Sequence, residues 1–250
     1  MEAAFQTIDG ELQEYLRKKF DEITRREAGS TATIVLVKEG EVICLNVGDS
    51  RAVMSRGGLP KELSTEHRVW GKGPTVTRET KRIKDSGAWV FDGRVCGTVA
   101  VSRAFGDWEW KDLKTGLPDA LKEGVEMGRW DQAFVDKLNI NASPVIVSPD
   151  ISRVVLTEKD DVVVVASDGL WDVITSAQAV QFARLFLSQG MAPSEVAGKL
   201  IERSLDRETQ DNVSVVVVDL VGAEAWEKGG VAKPKSGGGG GLFGGLFGKK

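Results

Sequence analysis

The 250 residues carry 33 basic and 37 acidic side chains, a formal charge of −4, with 41% hydrophobic and 28% charged residues. That balance suits a globular chain large enough for one sizeable core, and its acidic excess offers nucleic acid no general attraction. No apolar stretch approaches the roughly 20 residues that span a bilayer, and the acidic start MEAAFQTIDGELQEY is unlike a basic signal or transit peptide, so the default reading is a soluble cytoplasmic or nuclear monomer.

Along the chain, Phe5, Ile8, Leu12, Leu16, Phe20 and Ile23 recur at three or four residues with charges between them, which predicts an amphipathic helix. From Ala32 the period changes. TIVLV, EVICLNV and RAVMS read as an antiparallel meander, with turns at Glu39-Gly40 and Gly57-Gly58. Further short strands fit WVFDG, TVAVS, VVLT, VVVVA and SVVVV, and helices fit 76–86, 176–189 and 193–205. Thr175 and Gln178 form a capping-box pattern, Gly190 is placed to end that helix, and Pro193 opens the next.

The valine runs at 162–165 and 215–218 lack a polar alternation, so both strands should be covered on both faces. This order of elements is α+β, and its antiparallel strands predict a four-layer αββα sandwich, two sheets packed face to face with helices outside. Residues 108–143, charged and dotted with Trp, read as an irregular flap, and residues 223–250 as a Gly-rich tail with two GLFG repeats and too little apolar material to fold.

Candidate chemistry sits at strand ends. If the strands ending at Ala166 and beginning at Val213 are antiparallel neighbours, Asp168 faces Asp211, with Asp172 four residues on. Such carboxylates repel unless protonated, paired or bridged by a cation, and all-oxygen ligands suit Mg²⁺ or Mn²⁺. The other reading is that Asp-Gly and Asp-Asn simply make turns. A cysteine phosphatase loop is excluded because Cys44 to Arg51 and Cys96 to Arg103 are each one residue too long, and both thiols read as reduced core residues. A serine hydrolase would need a His base, yet the only histidine, His67, reads as structural, and GDSRA around Ser50 lacks the second glycine of a nucleophile elbow.

Taken together, GSTATIVLV, NVGDSRAV, RVCGTVAVSRAFGD, SPDI, VVASDGLWDV and QDNVSVVVV resemble, in order, the motifs of the metal-dependent protein phosphatases of the PPM or type 2C family, over Gly29 to Leu220. The resemblance implies the αββα sandwich, a Mg²⁺/Mn²⁺ centre, and attack of an activated water on phosphoserine or phosphothreonine proteins. It places metal ligation on Asp168 and Asp211 and a third, weaker metal near Asp172. Glu66 stands where the family usually has the aspartate of an Asp-His pair.

The Pro expected after that pair is missing from HRVWGK, and Gly87-Ala88 stands for Gly-Gly. Nothing before Gly29 matches the family's DGHGG segment, whose aspartate bridges the metals and whose His serves as general acid; Asp9-Gly10 is followed by Glu11-Leu12. The expectation is therefore a phosphatase domain over 1–222 that lacks its amino-terminal strands, has no assigned catalytic side chain, and acts either as a weakened phosphatase or as a silent phosphoprotein-binding module.

Overall fold

The computed structural model describes residues 1–20 and 28–227. The β-branched run after Thr31 forms β2 (Ala32–Lys38), which turns at Glu39-Gly40 into β3 (Glu41–Val47); β3 also pairs with β9 (Asp150–Val155), all antiparallel. In the second sheet β4 (Arg51–Arg56) turns through Gly57-Gly58 into β5 (Leu59–Glu62), and β10 (Asp160–Ala166) lies between β4 and β11 (Val215–Asp219). Short β1 (Gly29–Ser30) pairs with β8 (Phe105–Gly106), and β6 (Val90–Phe91) with β7 (Arg94–Val95).

Alternation along these strands builds the layers. Val42 and Cys44 meet Ala52, Met54 and Val163 between the sheets. The intervening Val53, Val162, Val164 and Ala166 point outward, against helices α6 (Ser176–Ser188) and α7 (Pro193–Leu205). On the far side Ile43, Leu45 and Val47 pack on Phe5 of α1 (Glu2–Lys19). The result is the four-layer helix, sheet, sheet, helix sandwich. Val162, Val163 and Val164 are fully buried, each worth roughly 1.5–3 kcal/mol. Thr175 and Gln178 make both capping-box bonds at the start of α6, and Gly190 follows its end with φ 83°.

Several expectations change. TVAVS is not a strand: Val99 and Val101 make isolated bridges to Val95 and Arg68. Strand β5 was not anticipated, because LPKE carries no apolar alternation and pairs only through its turn. Strand β11 is not covered on both faces; it is an edge strand, and Val216, on the inter-sheet side, is 57% exposed. Helix α1 buries only Phe5 and Asp9, leaving Ile8 and Phe20 half exposed, and Ile23 lies outside the described residues. The expected tail begins as helix α8 (Ala223–Glu227), where Trp226 is buried against the core and its indole N–H donates to Asp219 at 3.0 Å. One large aromatic anchors five residues that composition alone marked as unstructured; the rest of the tail lies outside the described residues.

The flap is more regular than its weak periodicity suggested. A 3₁₀ turn (Trp108–Trp110), α3 (Gly116–Glu126) and α4 (Gln132–Val135) form there, and Trp110, Leu117 and Ala120 join Ile83 of α2 (Pro74–Asp85), Val95 and Val145 in a separate apolar cluster. Beside it lies a buried ionic network. Glu79 of α2, with no exposed side-chain surface, accepts from Arg103 at 2.7 and 3.1 Å, from Ser102 at 2.8 Å and from Arg82 at 3.2 Å; Arg103 also reaches Asp150 of β9 at 3.1 Å. The network ties α2 and the 102–103 segment to the edge of the three-stranded sheet. Among the described residues, no helix is long and apolar enough to cross a membrane.

Two predictions follow from this packing. Trp226→Ala should lower the unfolding free energy by about 3 kcal/mol, seen as a lower urea midpoint, whereas an unstructured tail would give no change. Burial alone would raise the Glu79 pKa, but its bonds to Arg103 and Ser102 and the charge of Arg82 outweigh it and bring the pKa from 4.5 down to about 2. The unfolded chain therefore takes up this proton first as pH falls, so the contribution, roughly 3 kcal/mol, is complete above about pH 4.5 and lost towards pH 2. Glu79→Gln should cost about 3 kcal/mol at pH 7, by leaving the arginines uncompensated, and should flatten that acid limb in urea melts taken from pH 6 to 2.5.

Candidate functional site

Strand β10 stops at Ala166, and Asp168 opens the single helical turn α5 (Asp168–Trp171). The neighbouring β11 supplies the other side of this end. Ser167 N–H donates to Ser214 O at 3.0 Å, and Ser214 N–H donates back to the Ser167 hydroxyl at 3.0 Å, extending the β10–β11 ladder beyond its last paired residues. Gly169 lets the 211–213 loop close over α5, since a Cβ at that position would lie 2.3 Å from the Asn212 carbonyl oxygen. Thr209 Oγ1 fastens the loop to Gly169 O at 2.8 Å, and Trp171 Nε1 anchors the turn to Ala166 O at 2.9 Å.

These restraints place Asp168 within electrostatic reach of Asp211. Burial first, then the Asp211 and Asp172 charges, push the Asp168 pKa up, with Arg68 opposing. Asp211 is exposed at the mouth, its Oδ1 taking the Asn212 N–H at 2.7 Å. Asp49, at the turn after β3, belongs to the same group: burial and then the Asp168 charge push its pKa up to about 6, against the pull of Arg68.

His67 shapes that turn. It is fully buried, its Nδ1 accepts the Gly48 N–H at 3.0 Å, and its own backbone N–H donates to Gly48 O at 2.9 Å. Gly48 itself needs φ 98°, a left-handed value that suits glycine. Burial keeps His67 neutral, although Asp150 lies 3.3 Å from Nε2. The Ser50 hydroxyl pairs with that of Thr31 at 3.1 Å, and with the Nδ1 lone pair of His67 engaged by Gly48 no serine–histidine couple forms.

Glu66 arrives from the segment after β5. Arg51 of β4 holds its Oε2 at 2.9 Å, while Arg51 itself donates to Ser176 at 3.0 Å and lies over the Trp171 ring. Glu66 Oε1 is buried without a hydrogen-bond partner. Arg68 lies among the acids. Its Nη1 donates to Asp172 Oδ1 at 2.9 Å, Nη2 is 3.5 Å from Asp168, and Nε is 3.4 Å from Asp49 and 3.6 Å from Glu66. Only the Asp172 contact has hydrogen-bond alignment; Nε and Nη2 are buried without one.

The structure thus gathers Asp168, Asp172 and Glu66 around one guanidinium, and sets Asp211 beside Asp168. Sequence reasoning had missed two members, Asp49 and Arg68. The available signals were an aspartate directly after the Gly48 turn at a strand end, and the single cation next to His67.

The donor chemistry fits a hard divalent cation. Every candidate ligand atom is a carboxylate oxygen, two of the acids, Asp49 and Asp168, are pushed towards protonation by burial and neighbouring carboxylates, and one buried oxygen is orphaned. The spacing, however, is that of a guanidinium cage: among the described residues, no three carboxylate, His or Cys side chains converge closely enough to hold one ion together.

The family model described as protein phosphatase 2C matches residues 2–213. Among curated relatives, protein phosphatase 2C 57 of Arabidopsis thaliana is 38% identical over 224 residues, covering 90% of this chain and 56% of the relative. Probable protein phosphatase 2C 47 of Oryza sativa subsp. japonica is 33% identical, covering 84% and 48%. The chain spans about half the length of these curated relatives. A sex determining protein of C. elegans superposes with a TM-score of 0.64 at 21% identity, over 91% of this chain and 48% of that one. The serine-threonine phosphatase 2C from Toxoplasma gondii gives 0.61 at 21% identity, over 87% and 65%. At that identity the solved structures speak for the fold. With the family's sandwich present and its model matched over most of the length, the chain belongs to the protein phosphatase 2C family.

Proposed function

We propose that this chain carries the hydrolytic site of a metal-dependent protein serine/threonine phosphatase, acting on phosphoserine and phosphothreonine proteins. The observation that carries this reading is the collection of Asp49, Glu66, Asp168, Asp172 and Asp211 at one end of the two sheets, joined to the family assignment. Asp168 and Asp211 would hold the ion, Asp49 adds a third carboxylate from the other sheet, and Asp172 and Glu66 would serve a further, weaker position. Mg²⁺ or Mn²⁺, when bound, supplies an activated water and offsets charge on the phosphoryl oxygens.

The protein's own part is positioning. Gly169 and Trp171 fix Asp168, His67 fixes the turn bearing Asp49, and Arg51 fixes Glu66. No side chain is assigned as proton donor to the leaving alkoxide. On this reading the phosphatase-type domain extends from 1–222 to residue 227, to include the Trp226 anchor, with 108–143 as its flap. It acts as a monomer in the cytoplasm or nucleus, without nucleic acid or membrane.

The 250-residue chain is expected to release phosphate from a phosphothreonine peptide in millimolar Mn²⁺. Asp168→Asn should reduce that rate more than about 100-fold, beyond the loss typical for a group that only supports a ligand. A folded sample that binds the phosphopeptide without turnover would instead identify a silent phosphatase-like binding module.

A further inference from the structure

We propose that Arg68 is a built-in counter-ion that a divalent cation must displace, so that this one side chain sets the metal affinity of the site. The inference rests on the metal reading above and goes beyond it. Four carboxylates, Asp49, Glu66, Asp168 and Asp172, lie between 2.9 and 3.6 Å from the Arg68 guanidinium, whose side chain is 10% exposed. Carboxylates gathered around one point repel unless protonated or paired with a cation, and Arg68 is the cation placed among them.

The guanidinium fits the cage poorly. A planar fork satisfies paired oxygens in its own plane, yet here two of its nitrogens and Glu66 Oε1 are buried without a hydrogen bond. A small ion with ligands in all directions would use those oxygens better. The cation also has somewhere to go. Its Cζ lies 4.7 Å from the centre of the Trp70 ring, and Trp70 is 50% exposed, so an aromatic face at the surface already holds the guanidinium from the solvent side. Movement towards solvent over that face would clear the carboxylates, and while Arg68 stays in place it keeps them too far apart to converge on one ion.

Arg68→Met keeps an apolar stem and removes the charge. Calorimetric titration of the 250-residue chain with Mn²⁺ at pH 7 should show the variant binding roughly 10- to 100-fold tighter than wild type, the size of one charge-assisted hydrogen bond. In wild type, titration with Mg²⁺ should change the Trp emission, and the change should be lost in Trp70→Phe. This second measurement decides the matter if circular dichroism shows Arg68→Met to be unfolded. Equal or weaker Mn²⁺ binding by a folded Arg68→Met, or no Trp70-dependent change at saturating Mg²⁺, overturns the inference. The metal reading survives that result if wild-type Mn²⁺ binding disappears in Asp168→Asn. Absence of Mn²⁺ binding in both wild type and Arg68→Met overturns the two together.

Discussion

Strand β10 is covered on both faces, with only Val165 partly exposed, and the rest of the molecule is arranged around that constraint. Its odd valines, Val163 and the partly buried Val165, face the space between the sheets, and its even ones, Val162 and Val164, lie under α6 and α7. A strand buried this way cannot slip by one residue without exchanging its two faces, so its register against β4 and β11 runs unbroken from Val162 to Ala166, after one irregularity against β4 between Asp160 and Val162. Asp168, two residues beyond its end, inherits that register. Its position is decided by hydrophobic packing well away from it.

Much of this was legible because apolar periodicity reports burial directly. The meander from Ala32, the hairpin at Gly57-Gly58 and the capped helix after Thr175 all follow from local chemistry. Asp168 and Asp211 could be brought together on paper because an antiparallel pair places the end of one strand beside the start of the next. Val216 marks the limit of that logic. Its composition is the same as in β10, but whether a valine is covered depends on the strand's place in the sheet, and no local pattern encodes that place. Trp226 shows the converse, a single buried aromatic in a segment whose average composition reads as disordered.

Asp49 and Arg68 were hidden for a different reason. The stretch around Ser50 drew attention to its hydroxyl, while the carboxylate cluster contains the aspartate before it. Arg68 has no periodic signature at all, since a lone cation after a histidine has the same appearance on a solvated surface as inside a carboxylate cage. Only tertiary proximity separates the two, and that proximity depends on His67 O accepting from Ser102 and on the bridge between Arg68 and Val101. The Arg68 backbone is therefore held by the 101–102 segment while its side chain reaches across to α5.

Among the described residues, two of the acidic clusters differ in their charge balance. Around Glu79 and Asp150, two carboxylates face Arg78, Arg82 and Arg103, three cations for two acids. That cluster has no unmatched carboxylate, and its bonds are structural. Around Arg68, the carboxylates Asp49, Glu66, Asp168 and Asp172 face Arg68 and Arg51, two cations for four acids. The deficit equals the charge of one divalent ion, before Asp211 at the mouth is added. Burial makes such a deficit costly, and the upward shifts of Asp49 and Asp168 are the form that cost takes. The two-charge deficit, at the end of a strand buried on both faces, is the electrostatic support for the metal reading proposed above.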